Sequence, residues 1–270
     1  MGIMIMKDIV LFDMDGTLTE PRKPAEREMS YALYGLAKIA NIGIVTGSGI
    51  EYVLEQCSIF WDKPECFIGE KITIMPCNGT MVYKWYDNKW NLTFSKSIRD
   101  YLGQKDFQKL MKLLIWFQGD SLDKWGDRFP LTGHHISHRS SLINFCPIGR
   151  NATHEDREKF VEFDKKRKYR EIQLESLKKV LRVNGLSNLS VTLGGSTSFD
   201  IYPIGWDKTF SLRHHTGFRQ WFVGDRCEKD GNDRTIYEEL SKENRAFKTS
   251  SPEETIKIIE NIMRLIKEKY

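Results

Sequence analysis

The chain has 270 residues, of which 40% are hydrophobic and 29% are charged. This length is enough for one large core or for two domains of ordinary size, and this composition excludes a disordered chain. The formal net charge of +4 is too small to indicate nucleic acid binding by itself. We therefore expect no nucleic acid partner, and the charge is compatible with a small anionic substrate.

Cysteine spacing and apolar runs bear on where the protein works. The chain has five cysteines, and no two of them have C-x-x-C spacing, so a reducing compartment is the simplest interpretation. The N-terminal run Ile3-Met4-Ile5-Met6 is too short for a secretory signal, and no apolar run reaches the length of a membrane span. These features predict a cytoplasmic protein with no membrane partner.

The first third of the chain alternates strand and helix patterns. The run Ile9-Val10-Leu11-Phe12 predicts a buried strand, residues 26–40 have helical spacing, and residues 42–45 predict a second strand. A helix around 51–57 and strand candidates at 66–75 and 80–86 follow. This β-α-β-α-β order is typical of a doubly wound parallel sheet flanked by helices.

After residue 86 the pattern changes to that of a separate α+β insertion, and the end of the chain returns to α/β. The insertion is expected to contain helices over 98–118, 154–168 and 171–183 and strands over 142–146, 189–193 and 198–202. The final part is expected to contain a strand over 221–223 and helices around 233–240 and 252–269. We predict an α/β core made of residues 1–86 and 201–270, and an inserted domain made of residues 87–200.

Two carboxylates follow the first predicted strand, in the segment Asp13-Met14-Asp15-Gly16-Thr17. The carboxyl ends of parallel strands form the edge of the sheet where ligands bind. Two carboxylates one residue apart are costly to bring together without a cation, and a hard ion that prefers oxygen, such as Mg²⁺, resolves this cost. One carboxylate can then act as a nucleophile and the other as a proton donor or acceptor.

Further polar side chains lie at or near the ends of other predicted strands: Thr46, Ser48, Lys208, Asp225, Asn232 and Asp233. Because Mg²⁺ usually takes only one or two protein carboxylates, Asp13, Asp225 and the backbone carbonyl of Asp15 would suffice. A hydroxyl from Thr46 or Ser48, together with the ammonium of Lys208, could hold the remaining oxygens of a phosphoryl group. Phosphoryl transfer needs little beyond such positioning and charge neutralisation.

The first motif resembles that of the haloacid dehalogenase phosphotransferases, and later motifs make the resemblance more specific. From about residue 8 to about residue 259, the chain is similar in order to the eukaryotic-type phosphomannomutase family. The motifs are LFDMDGTLT at 11–19 with Pro21-Arg22, PIGR at 147–150, GGSTSFD at 194–200, GWDK at 205–208, and GD at 224–225 through GND at 231–233.

This resemblance implies a Rossmann-like core with an inserted substrate-binding cap. It implies conversion between mannose 6-phosphate and mannose 1-phosphate for GDP-mannose synthesis, with Mg²⁺ and a hexose 1,6-bisphosphate activator, and a homodimer through the cap. In these roles Asp13 is the nucleophile, Asp15 the general acid/base and Lys208 the partner of the phosphoryl charge. The metal residues implied are Asp13, Asp15, Asp225, Asn232 and Asp233, and the substrate residues are Arg22, Thr46, Ser48, Arg139, Arg150, Arg157, Ser198 and Asp200.

The chain departs from the family pattern in three places, one of which is Ser196-Thr197, where the family more typically has Gln-Ile beside Ser198. The second motif is Thr46-Gly47-Ser48-Gly49, where the family usually has Gly-Gly-Ser-Asp, so the hydroxyl that binds the phosphoryl group stays open between Thr46 and Ser48. Residues 116–138 have no clear family counterpart, which leaves the preference between mannose and glucose phosphates open.

Three functions are compatible with these residues. A phosphohexomutase, with phosphomannomutase or phosphoglucomutase activity, and a sugar-phosphate phosphatase would both use Asp13 and Mg²⁺. They differ in whether a sugar hydroxyl or water attacks the aspartyl-phosphate. Only the mutase must hold a second phosphate, which the arginines at 139, 150 and 157 favour because helix N-termini and arginine forks bind phosphate. A non-catalytic binding module is disfavoured by the presence of Asp13, Asp15, Lys208 and Asp225.

Overall fold

The computed structural model describes residues 7–62, 67–229 and 231–268, apart from the side chain of residue 127. These residues form two compact units. The first consists of the described residues up to Ser95 and from Trp206 onward, and the second is Lys96–Gly205. Within the described ranges, no helix combines the length and apolarity that crossing a membrane requires.

The first unit contains a seven-stranded sheet in the order β11-β10-β1-β2-β3-β4-β5. Its strands are β1 Asp8–Phe12, β2 Asn41–Val45, β3 Ile72–Met75, β4 Met81–Tyr86, β5 Lys89–Ser95, β10 Arg219–Gly224 and β11 Ala246–Lys248. Its helices are α1 Arg27–Ala37, α2 Ile50–Cys57, α3 Ile59–Asp62, α7 Arg234–Ser241 and α8 Pro252–Lys267. The strands from β11 to β3 pair in parallel, which confirms the α/β prediction.

The edge formed by β4 and β5 differs from the prediction. Both strands are antiparallel to their neighbours, and β5 was not predicted, although its apolar residues Trp90, Leu92 and Phe94 alternate with polar ones. Asp87 and Asn88, which join the two strands, have φ angles of 52° and 57°. Two successive left-handed residues are typical of a tight hairpin turn. The hairpin extends the first unit to Ser95, beyond the predicted boundary at residue 86.

The central strand β1 is buried on both faces, as expected in a parallel sheet covered by helices. Val10 and Phe12 pack on one face, in a cluster that includes residues of α1 and α8. Ile9 and Leu11 pack on the other face, in a cluster with Ile236 of α7. Because successive side chains alternate, this packing fixes the register of β1. The strand therefore delivers the residues that follow it to the carboxyl edge of the sheet.

The second unit contains a four-stranded antiparallel sheet in the order β6-β7-β9-β8. Its strands are β6 Ile136–Arg139, β7 Leu142–Phe145, β8 Leu189–Gly194 and β9 Ser198–Pro203, and its helices are α4 Ile98–Trp125, α5 His154–Arg167 and α6 Tyr169–Val183. The strand β6 was not predicted. Helix α4 runs past the predicted end at 118, because Trp125 packs edge-on against Phe163 and Tyr169.

The two faces of this smaller sheet differ in polarity. Ile143 and Phe145 of β7, with Phe199 and Ile201 of β9, belong to a core shared with α4 and α6. The residues that alternate with them, Asn144, Ser198 and Asp200, therefore lie on the opposite face. Asn144 and Asp200 are direct cross-strand partners. The sequence pattern thus places a polar surface on the side of the sheet away from the helices.

Candidate active site

Asp13 and Asp225 lie at the carboxyl ends of neighbouring strands. Asp13 follows β1 directly, and its backbone N–H donates to the carbonyl of Val223 (2.9 Å) in the adjacent β10. Asp225 follows β10, and Asp233 comes from the loop that leads into α7. Carboxylate oxygens of these three aspartates all lie within 4.8 Å of one another. The sheet therefore brings together Asp13, Asp225 and Asp233, as expected from their positions at or near strand ends.

Lys208 is the cation of this cluster. Its side chain is fully buried, and its ammonium donates to Asp13 Oδ1 and to Asp233 Oδ1. It is the first residue of a 3-10 helix, Lys208–His215, which Asp207 caps by accepting from the N–H of Thr209 (2.9 Å). Burial alone would lower the pKa of Lys208, but the charges of Asp13 and Asp233 outweigh it and raise the pKa. Lys208 is therefore charged at neutral pH.

The cluster carries more negative than positive charge. Burial and then the charge of Asp233 raise the pKa of Asp13, while Lys208 acts in the opposite direction. Burial and then Asp233 also raise the pKa of Asp225 to about 6. One ammonium faces three carboxylates, so the site favours a further positive charge.

The donor set fits a hard divalent cation. Among the described residues, Asp225 Oδ1 and Asn232 Oδ1 are buried and accept no hydrogen bond. A Cβ on Gly16 would lie 2.5 Å from Asp225 Oδ2, so only glycine leaves room for that carboxylate. Carboxylate and amide oxygens are the ligands that Mg²⁺ takes in proteins. Asp13, Asp225 and Asn232 could hold such an ion, whereas one oxygen of Asp233 is already engaged by Lys208 and the other by the N–H of Arg226 (3.0 Å).

Asp15 is oriented by two donors on one oxygen. Its Oδ1 accepts from the hydroxyl of Tyr52 (2.9 Å) and from the backbone N–H of Arg22 (3.3 Å). Burial and then the charge of Asp15 raise the pKa of Tyr52, so the phenol remains a donor. Arg22 is exposed and has a φ of 66°. The sequence analysis missed Tyr52, although its place in the first turn of α2, directly after the Ser48-Gly49 turn, was a usable signal.

Thr46 and Ser48 follow β2 at the same edge of the sheet. Thr46 is buried, and its Oγ1 accepts from the N–H of Ser48 (3.1 Å). Asn78, which the sequence analysis missed, donates its N–H to the carbonyl of Thr46 (2.8 Å) and its Nδ2 to the carbonyl of Trp206 (3.4 Å). Asn78 thereby links the Thr46 turn to the segment before Lys208. Which of the two hydroxyls binds a phosphoryl group stays a prediction.

The remaining predicted substrate residues belong to the second unit. Arg139 ends β6, Arg150 follows β7, and Ser198 and Asp200 are in β9. Partial desolvation, followed by the positive charge of Arg139, lowers the pKa of Arg150. These two arginines therefore lie close enough for their positive charges to repel each other.

Arg157 is buried within the second unit. Thr153 and Asp156 form a capping box at the start of α5, so Arg157 comes one turn later, as predicted. Its side chain is buried, and it donates to Thr197 Oγ1 (2.9 Å) and to the carbonyls of Arg150 (3.1 Å) and Ala152 (3.2 Å). Arg157 therefore braces the turn that carries Arg150. Direct phosphate binding by Arg157 stays a prediction.

Comparison with solved structures identifies proteins of similar fold. The Plasmodium falciparum IMP-nucleotidase superposes with a TM-score of 0.66 at 15% identity, over 98% of this chain and 70% of that one. The Aspergillus fumigatus trehalose-6-phosphate phosphatase superposes with a TM-score of 0.54 at 14% identity, over 94% of this chain and 92% of that one. At these identities the likeness concerns the fold alone. It is the haloacid dehalogenase fold that the sequence predicted.

Comparison with protein sequences is more specific. The model of the eukaryotic phosphomannomutase family matches residues 29–265. A phosphomannomutase of Solanum lycopersicum is 34% identical over 256 residues, covering 92% of this chain and 91% of that protein. A phosphomannomutase of Schizosaccharomyces pombe is 34% identical over 262 residues, covering 96% and 95%. The chain therefore belongs to the eukaryotic phosphomannomutase family, which confirms the resemblance found in its sequence.

Proposed function

We propose that this protein is a phosphomannomutase that interconverts mannose 6-phosphate and mannose 1-phosphate and so supplies GDP-mannose synthesis. One observation carries the proposal: in a member of this family, Asp13 is buried at the carboxyl edge of the sheet in contact with Lys208. A carboxylate held against one ammonium, beside two further carboxylates and room for a cation, is suited to phosphoryl transfer.

The proposed reaction uses Asp13 twice. An oxygen of Asp13 attacks a phosphorus of a hexose 1,6-bisphosphate, and the bond from that phosphorus to the sugar oxygen breaks. Asp15 donates a proton to the departing sugar oxygen. In the second half, Asp15 removes a proton from a hydroxyl of the incoming hexose monophosphate, whose oxygen takes the phosphoryl group from Asp13. Atoms and charges balance over the cycle, and the bisphosphate is regenerated.

The other residues position these groups. Lys208 holds Asp13 Oδ1 and neutralises part of the charge beside it. Thr46 or Ser48 donates to a phosphoryl oxygen, and Mg²⁺, when bound, supplies positive charge to the phosphoryl oxygens. We assign Arg22, Arg139, Arg150, Ser198 and Asp200 to the sugar phosphate, with Arg157 supporting Arg150.

The proposal also covers the cellular compartment and the oligomeric state of the protein. We place the enzyme in the cytoplasm. In support, none of the four cysteines that the structure describes forms a disulfide, as expected in a reducing compartment. We propose a homodimer formed through the inserted unit, for which the exposed Ile115 and Trp116 of α4 offer apolar surface. Light scattering on wild type and on Trp116→Glu tests the dimer, because a charge there should yield a monomer.

A coupled assay tests the proposed function. Mannose 1-phosphate and glucose 1-phosphate are supplied separately, with and without hexose 1,6-bisphosphate and Mg²⁺, while 6-phosphate formation and phosphate release are followed together. We expect mannose 6-phosphate to form only with both additions, and phosphate release to be slow. Phosphate release without isomerisation would make the protein a sugar-phosphate phosphatase, and a preference for glucose 1-phosphate would make it a phosphoglucomutase.

A further inference from the structure

Asn144 is a buried amide that contacts three polar residues at once. Its Nδ2 lies 2.9 Å from Ser198 Oγ and 2.7 Å from Asp200 Oδ1, and its Oδ1 lies 3.1 Å from Nη1 of Arg150. Only 2% of Asn144 is exposed. All three partners are assigned to substrate binding, whereas no role was predicted for Asn144. The alternation of β7 indicates which face Asn144 lies on but does not mark it as a site residue.

Hydrogen-bond chemistry fixes the orientation of this amide. Ser198 Oγ donates its proton to the carbonyl of Gly194 (2.7 Å), so toward Asn144 it can only accept. The carboxylate of Asp200 also accepts, and the guanidinium of Arg150 can only donate. The –NH₂ group of Asn144 therefore faces β9, and its oxygen faces Arg150. An aspartate of the same shape could not donate to Ser198 and Asp200.

The amide stands between two opposite charges. It accepts from Arg150 on one side and donates to Asp200 on the other, so each ion is satisfied in part by a neutral group. Arginine and carboxylate groups at close range otherwise tend to form a direct, often bidentate, pair. Such a pair would occupy the donors that a phosphate needs and the oxygens that sugar hydroxyls need. The backbone of Arg150 is separately held, because its carbonyl accepts from Arg157 (3.1 Å).

We propose that Asn144 is a positioning residue for the sugar phosphate, and that its amide keeps Arg150 and Asp200 apart so that both remain available to the substrate. This inference rests on the proposed function, since it takes Arg150 as a phosphate ligand and Asp200 as a ligand of the sugar. It adds that the separation of these two charges is built into the sheet by one neutral side chain.

Direct binding tests the proposal without depending on turnover. Calorimetry with mannose 6-phosphate should show that Asn144→Ala raises Kd by about 10- to 100-fold, the range expected when hydrogen bonds to charged groups are lost. Asn144→Asp should raise Kd further, because its carboxylate captures Arg150 and repels Asp200. The structure of Asn144→Ala should show Arg150 paired directly with Asp200.

A double-mutant cycle separates charge separation from simple packing. In the Asp200→Asn background no carboxylate remains to capture Arg150, so adding Asn144→Ala should raise Kd by a smaller factor than it does in the wild-type background. Ser121→Ala is the matched control, because it removes another buried hydrogen bond of the same unit, the one between Ser121 and Tyr169 (2.6 Å). It should lower the melting temperature and leave the Kd for mannose 6-phosphate unchanged.

The outcomes distinguish the inference from the function on which it rests. If the wild type binds mannose 6-phosphate and both Asn144 variants bind equally well, the inference is wrong and the proposed function stands. Equal effects of Asn144→Ala in the two backgrounds would also overturn it, because the amide would then act only through packing. If the wild type itself binds no hexose phosphate, the proposed function fails and the inference fails with it.

Discussion

Lys208 and Asp13 form a buried ion pair between residues 195 positions apart in the chain. The pair joins the strand β1 to the 3-10 helix Lys208–His215, and Lys208 reaches Asp233 from the same position. A residue that neutralises the proposed nucleophile thus also holds the carboxyl edge of the sheet together. This dual role means that stability and activity should change together when Lys208 is altered.

Replacing Lys208 with methionine should destabilise the protein by about 3–5 kcal/mol, the cost of leaving buried charges without their partner. Denaturant unfolding measures this change. Adding Asp13→Asn to Lys208→Met should recover part of the loss, because one of the unpaired carboxylates is then removed. Lys109, which is partly exposed and paired with Asp106, is the control, and Lys109→Met should change stability by less than 1 kcal/mol. A Lys208→Met variant as stable as the wild type would contradict the assignment.

Asp15→Asn should reduce turnover of hexose phosphates by roughly 10²- to 10⁴-fold, the usual contribution of general acid/base catalysis. Tyr52→Phe removes only the donor that orients Asp15 and should cost less than Asp15→Asn. Its effect should fall on kcat rather than on KM, because the phenol contacts Asp15. Steady-state kinetics of both variants at several Mg²⁺ concentrations provides the test. Recovery of Asp15→Asn at saturating Mg²⁺ would show that Asp15 binds metal instead.

Arg150→Ala and Arg157→Ala should fail in different ways. Arg150 is exposed and is assigned to the sugar phosphate. Arg150→Ala should therefore weaken sugar-phosphate turnover and shift the ratio of isomerisation to phosphate release toward hydrolysis. Arg157 is buried with its donors on Thr197 and two carbonyls, so Arg157→Ala should also lower the melting temperature. Both should lose far more on hexose phosphates than on a small acyl phosphate that reaches only Asp13. A wild-type ratio and KM in both variants would make these arginines unrelated to substrate binding.

His215 should make stability depend on pH. Burial, followed by the charges of His214 and Lys84, lowers the pKa of His215 to about 4 from its ordinary value of 6.5. In the unfolded chain, His215 therefore takes up a proton near pH 6.5. In the folded chain, it takes up that proton only near pH 4. This contribution to stability is complete above pH 6.5 and is lost as the pH falls toward 4, by up to about 3 kcal/mol.

Thermal unfolding between pH 4 and pH 7 measures the contribution of His215 as the difference between wild type and His215→Gln. The difference should change across this window, because glutamine does not titrate. The exposed His138 supplies the matched variant, His138→Gln, which should keep the pH dependence of the wild type. Parallel curves for wild type and His215→Gln would show that His215 titrates normally.

The parts of the site that lie at strand ends could be predicted from sequence. Asp13, Thr46 and Asp225 each follow an apolar run, and a parallel sheet brings such positions to one edge. Their neighbours Tyr52 and Asn78 were missed, because they act through contacts made by a helix turn and a tight loop, and only the position of Tyr52 just after the Ser48-Gly49 turn gave a signal. No periodic pattern marks a single phenol or amide for such a role.

The second unit shows the same limit. The alternation of β7 and β9 could have placed Asn144 on the polar face with Asp200. The register between these two strands, however, cannot be inferred from the sequence of either strand alone. Arg157 was correctly placed in the first turns of α5, yet its burial depends on Thr197, 40 residues further along the chain. Local patterns therefore located the residues, and only tertiary contacts revealed that Arg157 holds the turn that carries Arg150.

The most direct test of the account is the site of covalent phosphorylation. The enzyme is mixed with hexose 1,6-bisphosphate and Mg²⁺, quenched rapidly in acid, digested and examined by mass spectrometry. An acid-stable, base-labile phosphoryl group on the peptide that contains Asp13, absent from Asp13→Asn, is the predicted result. A phosphoryl group on a histidine, or near-wild-type turnover by a folded Asp13→Asn protein, would contradict the account.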